Sequence, residues 1–449
     1  MYGSCADQPG SRSRDRNDAK TDEVVCRHWL SIAARLYHVL IVLFVAAACQ
    51  APSSQKPGPP VSPPLLSRPA QPDVVPSYRI GALLPLTGPM ATYGQECFRG
   101  IELAVDRWNR EGGTVVRLVV RDTRSDRAVQ QPLNALLDES RLSGVIGPLA
   151  SQQLEEAARL VEGAHVPLIT PAATRSDVRQ LSPYAFSTAL TYPLQAEGIA
   201  AYAMGRLGYR RFAVIHPGTG YGRQLAQSFA EEVRRRGGEV VDVESYQEEE
   251  QDFTAQVTRL KVAVRRRLQE DSPTHERRPS GASAAQKKHG TPSRRGLDAI
   301  YLPGAFRQAA LIAAQLRFQD VKVRLLGSSA WHSSDVANFP ERSLLGGIFV
   351  DSFFAESKAP AVRAFVEAYR FRYHAEPTPF AAQAYEATEL LLAGIRAGGT
   401  SGKRLRAFLE QADALPTLLG PASFNAKGVL NRRLVLLQVG EKGALEQVR

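Results

Sequence analysis

The chain has 449 residues, 44% hydrophobic and 22% charged, with a formal net charge of +11. That length exceeds what one hydrophobic core organises, so a single compact lobe is excluded and two or more are expected. The positive charge does not mark a nucleic-acid binder: residues 265–295 hold nine Lys and Arg against three Asp and Glu, about half of the excess, with no interleaved aromatic residues to stack on bases.

The N-terminal region reads as an address. Residues 36–48, LYHVLIVLFVAAA, follow Arg27 and Arg35 and run directly into Cys49. A basic region, an apolar core and small residues before a cut define a secretory signal, and the run is too short for a spanning helix. Residues 50–76 are dense in proline, which suits an extended tether and not a core. The expected partition is a leader over 1–48, a tether over 49–77 and a folded body from Tyr78. Cys5, Cys26, Cys49 and Cys97 form no zinc spacing, and Cys97 reads as a small buried hydrophobe.

From Tyr78 the chain alternates strand and helix. RIGALLPL predicts a strand closed by a turn at Thr87-Gly88-Pro89. QECFRGIELAVDRWNRE predicts a helix with Phe98, Ile101, Ala104, Val105 and Trp108 on one face, stopped by Gly112-Gly113. TVVRLVVRD, RAVQQPLNALLDESR, SGVIGP, QQLEEAARLVEGA and VPLIT continue as strand, helix, strand, helix and strand. Such alternation implies a parallel sheet covered on both faces, with ligands received beyond the carboxyl ends of the strands. The pattern restarts after residue 191: RRFAVIHP, EVVDVESY, DAIYLPG and VRLLG predict the strands of a second sheet. Residues 268–296, rich in Ser, Pro, Gly, Lys and Arg, read as a disordered basic insertion. After GGIFVDSFF, two helices are expected in APAVRAFVEAYRFRYHAE and PFAAQAYEATELLLAGIRA, then a terminal strand pair.

Eight segments in this order carry a resemblance: IGALLPLTGPMATYGQ, VIGPLAS, VPLITPAAT, SPYAFSTALTYPLQ, RFAVIHPGTGYG, DFTAQV, DAIYLPG and FVEAYRFRYHAEPTPFAAQAYEA. Together they resemble the leucine/isoleucine/valine-binding proteins, the type I periplasmic binding proteins, from Tyr78 to the C-terminus. The resemblance implies an α/β fold of two Rossmann-like lobes, each a parallel sheet flanked by helices, joined by three hinge crossovers near Tyr192, Phe353 and Lys427. One lobe would comprise 78–191 and 354–426, the other 192–353 and 427–449.

The same resemblance implies a cleft. Leu149-Ala150-Ser151 and Ala172-Ala173-Thr174 each read as a strand end that opens a helix, where free backbone N–H groups beside a hydroxyl suit a carboxylate or phosphate. Ser151 and Thr174 would hold the ligand's carboxylate, with the backbone of Ala172 and Ala173 nearby; both hydroxyls also suit plain helix caps, and the two roles are compatible. Tyr93 and Tyr221 match positions where rings close over the ligand, and Phe306 matches a third. Amino-acid binders of this family place an acid after the strand read here as VRLLG. This chain has GSSAWHSSD there, with Ser328 and Ser329 at the acid's position, Trp331 and His332 as candidate wall residues, and no buried carboxylate unless Asp335 bends back. That departure turns the expectation from an α-amino acid towards a ligand held by its anionic end.

No GxSxG, HExxH or P-loop is present, and Asp122 and Asp126 fall in a surface-type turn, so neither catalysis nor a cofactor or metal is expected. The leader resembles a lipoprotein signal peptide, although Ala46 stands where leucine is usual, and implies lipidation of Cys49 and membrane anchoring in the periplasm. The functional expectation is a lipoprotein that closes around a small polar ligand, an amino acid or other carboxylate, for an ABC permease or a sensor. The alternative is a regulatory lipoprotein of the same fold that activates a penicillin-binding protein, which a long tether would serve.

Overall fold

The computed structural model describes residues 78–112, 114–124, 129–270, 296–333, 342–399 and 401–448. The expected leader, Cys49, the tether, Asp126, Asp335 and residues 271–295 of the basic insertion lie outside them. Val74–Arg449 form one compact unit, and every core cluster described below draws on residues within it.

The first sheet is parallel throughout. It consists of β1 (Tyr78–Leu84), β2 (Val116–Asp122), β3 (Leu142–Ile146), β4 (Leu168–Thr170) and β5 (Ala185–Ser187), in the order β2-β1-β3-β4-β5. Side chains alternate across each strand. Ile80, Ala82 and Leu84 face one core with Ile146, Ile169 and Phe186; Leu83, Val145, Leu168 and Ala185 face the other. The first core is covered by α1 (Ala91–Arg110), and the second by α2 (Gln130–Leu137), α3 (Ser151–Ala164) and the single turn α4 (Val178–Leu181).

The second lobe repeats the plan with α5 (Tyr192–Ala201), β6 (Arg211–Pro217), α6 (Gly220–Arg235), β7 (Glu239–Tyr246), α7 (Thr254–Glu270), β8 (Ala299–Leu302), α8 (Phe306–Phe318), β9 (Arg324–Gly327) and β10 (Ile348–Asp351). Helix α7 runs through Leu268–Glu270, so the regular structure continues past the expected start of the basic insertion. The chain then returns to cover the first sheet with α9 (Pro360–Tyr373), α10 (Pro379–Arg396) and α11 (Gly402–Gln411), followed by the hairpin β11 (Ser423–Phe424) and β12 (Leu430–Asn431). It closes with β13 (Val435–Val439) and β14 (Leu445–Gln447).

The second sheet has the order β14-β13-β10-β9-β8-β6-β7 and departs from the all-parallel expectation at one edge, where β13 and β14 are antiparallel. The reason is connectivity. The chain enters β13 from the end at which β10 leaves the sheet, and without a crossover helix it can only run back. The two α/β lobes, with sheets flanked by helices, otherwise match the fold expected from the sequence.

Three passages join the lobes: between Ser187 and Tyr192, between Asp351 and Pro360, and between Asn431 and Val435. At the second, adjacent residues divide, Phe353 packing into the first lobe's core and Phe354 into the second's. The third lies beyond the expected Lys427. There the backbone is still stitched to the first lobe, Arg179 N–H donating to Lys427 O and Ser187 N–H to Gly428 O at 2.8 Å.

A buried ion pair sits where the second and third passages meet. Arg432, just after β12, pairs with Glu386 of α10, with N···O separations of 2.8 and 2.5 Å and both side chains 1% exposed. Arg432 also donates to Ser352 O, on the second passage, and Glu386 accepts the Leu418 N–H. Removing one partner leaves a buried charge uncompensated, at a cost of about 3–5 kcal/mol, whereas an apolar pair of similar volume is often tolerated. Arg432→Met should therefore lower unfolding free energy by about that amount in urea titration, and the double variant Arg432→Met/Glu386→Leu should recover most of it. Equal losses in single and double variants would contradict the pairing.

Candidate functional site

In both lobes the parallel strands deliver their carboxyl ends to the rim where the passages run, so the loops after them form the candidate site. On the first lobe's rim, the loop after β1 is tied down by Asp122 at the end of β2. Leu86 N–H and Thr87 Oγ donate to its carboxylate at 2.8 and 2.7 Å, as does Arg124 N–H. Desolvation alone would raise the Asp122 pKa, but these hydrogen bonds outweigh it and hold it below the ordinary aspartate value. Asp122 thus positions the loop and is not a general acid or base.

Ser151 opens α3 at the exit of β3. The preceding cap residue is Ala150, in extended conformation, and no side chain caps the helix. The Ser151 hydroxyl, exposed at the first helical position, therefore stands beside a helix start with no side-chain cap, a suitable place for an anion. The stretch Ala172-Ala173-Thr174 differs from the sequence reading. It does not open a helix; α4 begins four residues later, after Asp177. Ala173 is buried and its N–H is already taken by Thr170 Oγ, which in turn donates to Pro148 O at 2.6 Å. Of this trio, Ala172 and Thr174 remain partly accessible.

The tyrosines lie in the first turns of helices, not in loops. Tyr93, 44% exposed, is the third residue of α1, its ring 4.9 Å from that of Phe380. Tyr221 is the second residue of α6, its hydroxyl 3.0 Å from Ser328 Oγ. Each is followed by a glycine pressed onto the strand exit before it. A Cβ on Gly94 would lie 1.9 Å from Pro85 O, and one on Gly222 2.1 Å from Pro217 O. The Tyr-Gly pair therefore recurs because backbone meets backbone at the same point of each lobe, leaving the preceding tyrosine at the rim. Burial, with smaller contributions from Tyr192 and Asp351, outweighs the lowering effect of the Ser328 hydrogen bond and pushes the Tyr221 pKa up to about 12, so it is a neutral hydroxyl at physiological pH.

Two expected wall residues belong to the core. Phe306, 4% exposed, begins α8 with its side chain inside the second lobe's hydrophobic cluster. Trp331 is fully buried: its indole N–H donates to Leu302 O, and its ring fills the space where a Cβ on Gly327 would sit. Ser329 opens a short 3-10 turn, and its N–H donates to Gln195 Oε1 of α5 at 3.0 Å.

The expectation of no buried carboxylate in the second lobe is corrected by Asp351. This last residue of β10 is 1% exposed and receives His332 Nδ1 at 2.6 Å. Its other oxygen accepts the Ser352 N–H, and the Ser352 hydroxyl bonds Gln383 of α10 in the first lobe. The pair was missed because Asp351 lies 19 residues from His332, across the segment before β10. The available signal was an acid closing an otherwise apolar strand run, Ile348-Phe349-Val350-Asp351. An open cavity of about 850 Å³, lined by Tyr209, Asp298, Val323, Arg324 and Gly346 among others, lies at the opposite ends of these strands, away from the helix starts.

Burial disfavours a charged His332, but the hydrogen bond and charge of Asp351, with Glu356 further off, outweigh it and hold the ring above the ordinary histidine value. A group raised in the folded state contributes stability that is complete below the unfolded pKa and lost as pH rises through the folded one. The melting-temperature advantage of wild type over His332→Gln should therefore shrink as pH rises from about 6 to about 9. An advantage that stays constant or grows would contradict it.

The family model described as "Periplasmic binding protein" matches residues 77–444. The chain is 24% identical over 374 residues to the "Leu/Ile/Val-binding protein BraC3" of Rhizobium johnstonii, covering 82% of this chain and 92% of that one. A solved structure described as a putative branched-chain amino acid ABC transporter from Rhodospirillum rubrum aligns with a TM-score of 0.70 at 26% identity, over 83% of this chain and 99% of that one. The fold is shared at 18% identity and a TM-score of 0.59, over 81% and 93%, with an ABC transporter solute-binding protein from Rhodopseudomonas palustris solved with 3,4-dihydroxybenzoic acid.

Proposed function

The chain belongs to the periplasmic binding protein family, and from that premise we propose that it is a non-catalytic, extracytoplasmic binding protein whose lobes close on a small carboxylate-bearing ligand for ABC-type uptake. One observation carries the reading: Ser151, beside a helix start that lacks a side-chain cap, and Tyr221 with Ser328 stand at strand exits of the two lobes joined by three passages. The ligand's carboxylate takes the α3 start, with Ser151, Thr174 and the Ala172 backbone around it. Tyr93 and Tyr221 close over it from opposite lobes, and hinge bending at the passages turns binding into a shape that a permease reads. The relatives named above are binding and transport proteins, which supports this reading over cell-wall regulation.

Lipidation at Cys49 completes the proposal, holding the body at a membrane through the Pro-rich segment. Expressed in a bacterial host, the wild-type chain should sediment with membranes and Cys49→Ser should appear in the soluble fraction. An unchanged distribution would contradict the anchor.

The binding reading is tested by thermal shift of the Val74–Arg449 unit against amino acids and small carboxylates. A ligand at about 100 times its dissociation constant adds about 2.7 kcal/mol, seen as a higher melting temperature. The expected result is a shift that is lost in Ser151→Ala and Tyr221→Ala; no shift across the panel would overturn the reading.

A further inference from the structure

The second lobe's contribution to the cleft has a definite chemistry, and the inference drawn from it rests on the binding reading above. Asp351 has little accepting capacity left. One oxygen takes His332 Nδ1 at 2.6 Å, and the other takes the Ser352 N–H at 2.5 Å and the Ser352 hydroxyl at 3.3 Å. With 1% exposure, it cannot meet a ligand's ammonium unless that network opens. Among the described residues the next acid along the chain from Asp351, Glu356, is exposed, so water and salt weaken any pairing it offers.

What the wall presents instead is a donor. His332 commits its Nδ1 hydrogen to Asp351 while its side chain stays 20% exposed, so Nε2 is the ring's remaining polar atom, and it is an N–H in the charged ring, the form that the Asp351 carboxylate favours. The groups facing His332 are Asp351 from β10, Glu356 from the segment after it and, through Asp351, the neutral Tyr221 from α6. At the same strand exits the Tyr221 and Ser328 hydroxyls bond each other, and the Ser329 N–H is spent on Gln195.

We propose that this cleft selects small organic acids whose second polar group is an oxygen acceptor, a 2-oxo, 2-hydroxy or second carboxylate group, received by His332, and that it disfavours α-amino acids. His332 is the specificity-determining residue, and Asp351 positions it. An α-ammonium in the same place would face a donor with, among the described residues, no accessible buried acid to pair with, and leaving charges unpaired on closure is costly.

The test is calorimetric titration of the Val74–Arg449 unit with a matched pair, 4-methyl-2-oxopentanoate and L-leucine, which share skeleton and carboxylate. The oxo acid should bind at least about tenfold tighter, the scale of one unpaired buried polar group. His332→Gln should bring the ratio towards one, and Ser329→Asp, which adds an acid to the same wall, should shift it towards leucine even if His332→Gln proves unstable. Ser151→Ala should weaken whichever acid binds. Leucine binding as tightly as the oxo acid, with the Ser151 dependence intact, would overturn this inference and leave the cleft reading standing. Binding of neither acid, or binding indifferent to Ser151, would overturn both.

Discussion

The second and third passages between the lobes are tied together by the buried Arg432–Glu386 pair. A buried ion pair stabilises little on net, since desolvation consumes most of the Coulomb gain, but its geometry is demanding. Here it fixes α10 of the first lobe, the backbone at Ser352 on the second passage and the start of the third passage in one arrangement. In the proposed closure, this arrangement is the locus about which the lobes would hinge. Gln383, one turn before Glu386 on α10, adds a bond to the Ser352 hydroxyl and so links the hinge to the Asp351 network.

Around that locus the two lobes solve the same problem in the same way. A strand leaves the sheet through a proline, the first turn of the following helix carries a tyrosine and then a glycine, and the glycine lets the helix press on the strand exit. Pro85, Tyr93 and Gly94 in one lobe correspond to Pro217, Tyr221 and Gly222 in the other. The polar groups that differ between lobes are then the ones that discriminate. The first lobe offers a helix start with a hydroxyl, suited to an anion; the second offers hydroxyls and a His332 ring already engaged with Asp351.

The fold was legible because its signal is periodic and local. Apolar runs such as RRFAVIHP and EVVDVESY mark β6 to within one residue and β7 to the residue, and the landmarks that resemble a known family fall in chain order. For the proposed site, sequence reaches only what local chemistry decides: Ser151 beside a helix start and Tyr221 at a strand exit. Ala172-Ala173-Thr174 looks like a helix start in sequence, yet Thr170 consumes the Ala173 N–H, and the next helix waits for Asp177. Phe306 and Trp331 look like cleft aromatics but are drawn into the core, and nothing in their neighbours announces this. The pairs His332–Asp351 and Glu386–Arg432 join distant segments, and no spacing rule reaches across 19 or 46 residues of folded chain.

The central claim, that the lobes close on a ligand about this hinge, is tested most directly by small-angle X-ray scattering of the Val74–Arg449 unit with and without the tightest-binding acid. The account predicts a smaller radius of gyration on saturation, with Ser151→Ala unresponsive at the same concentration. A saturated complex whose scattering superimposes on that of the free protein would contradict it.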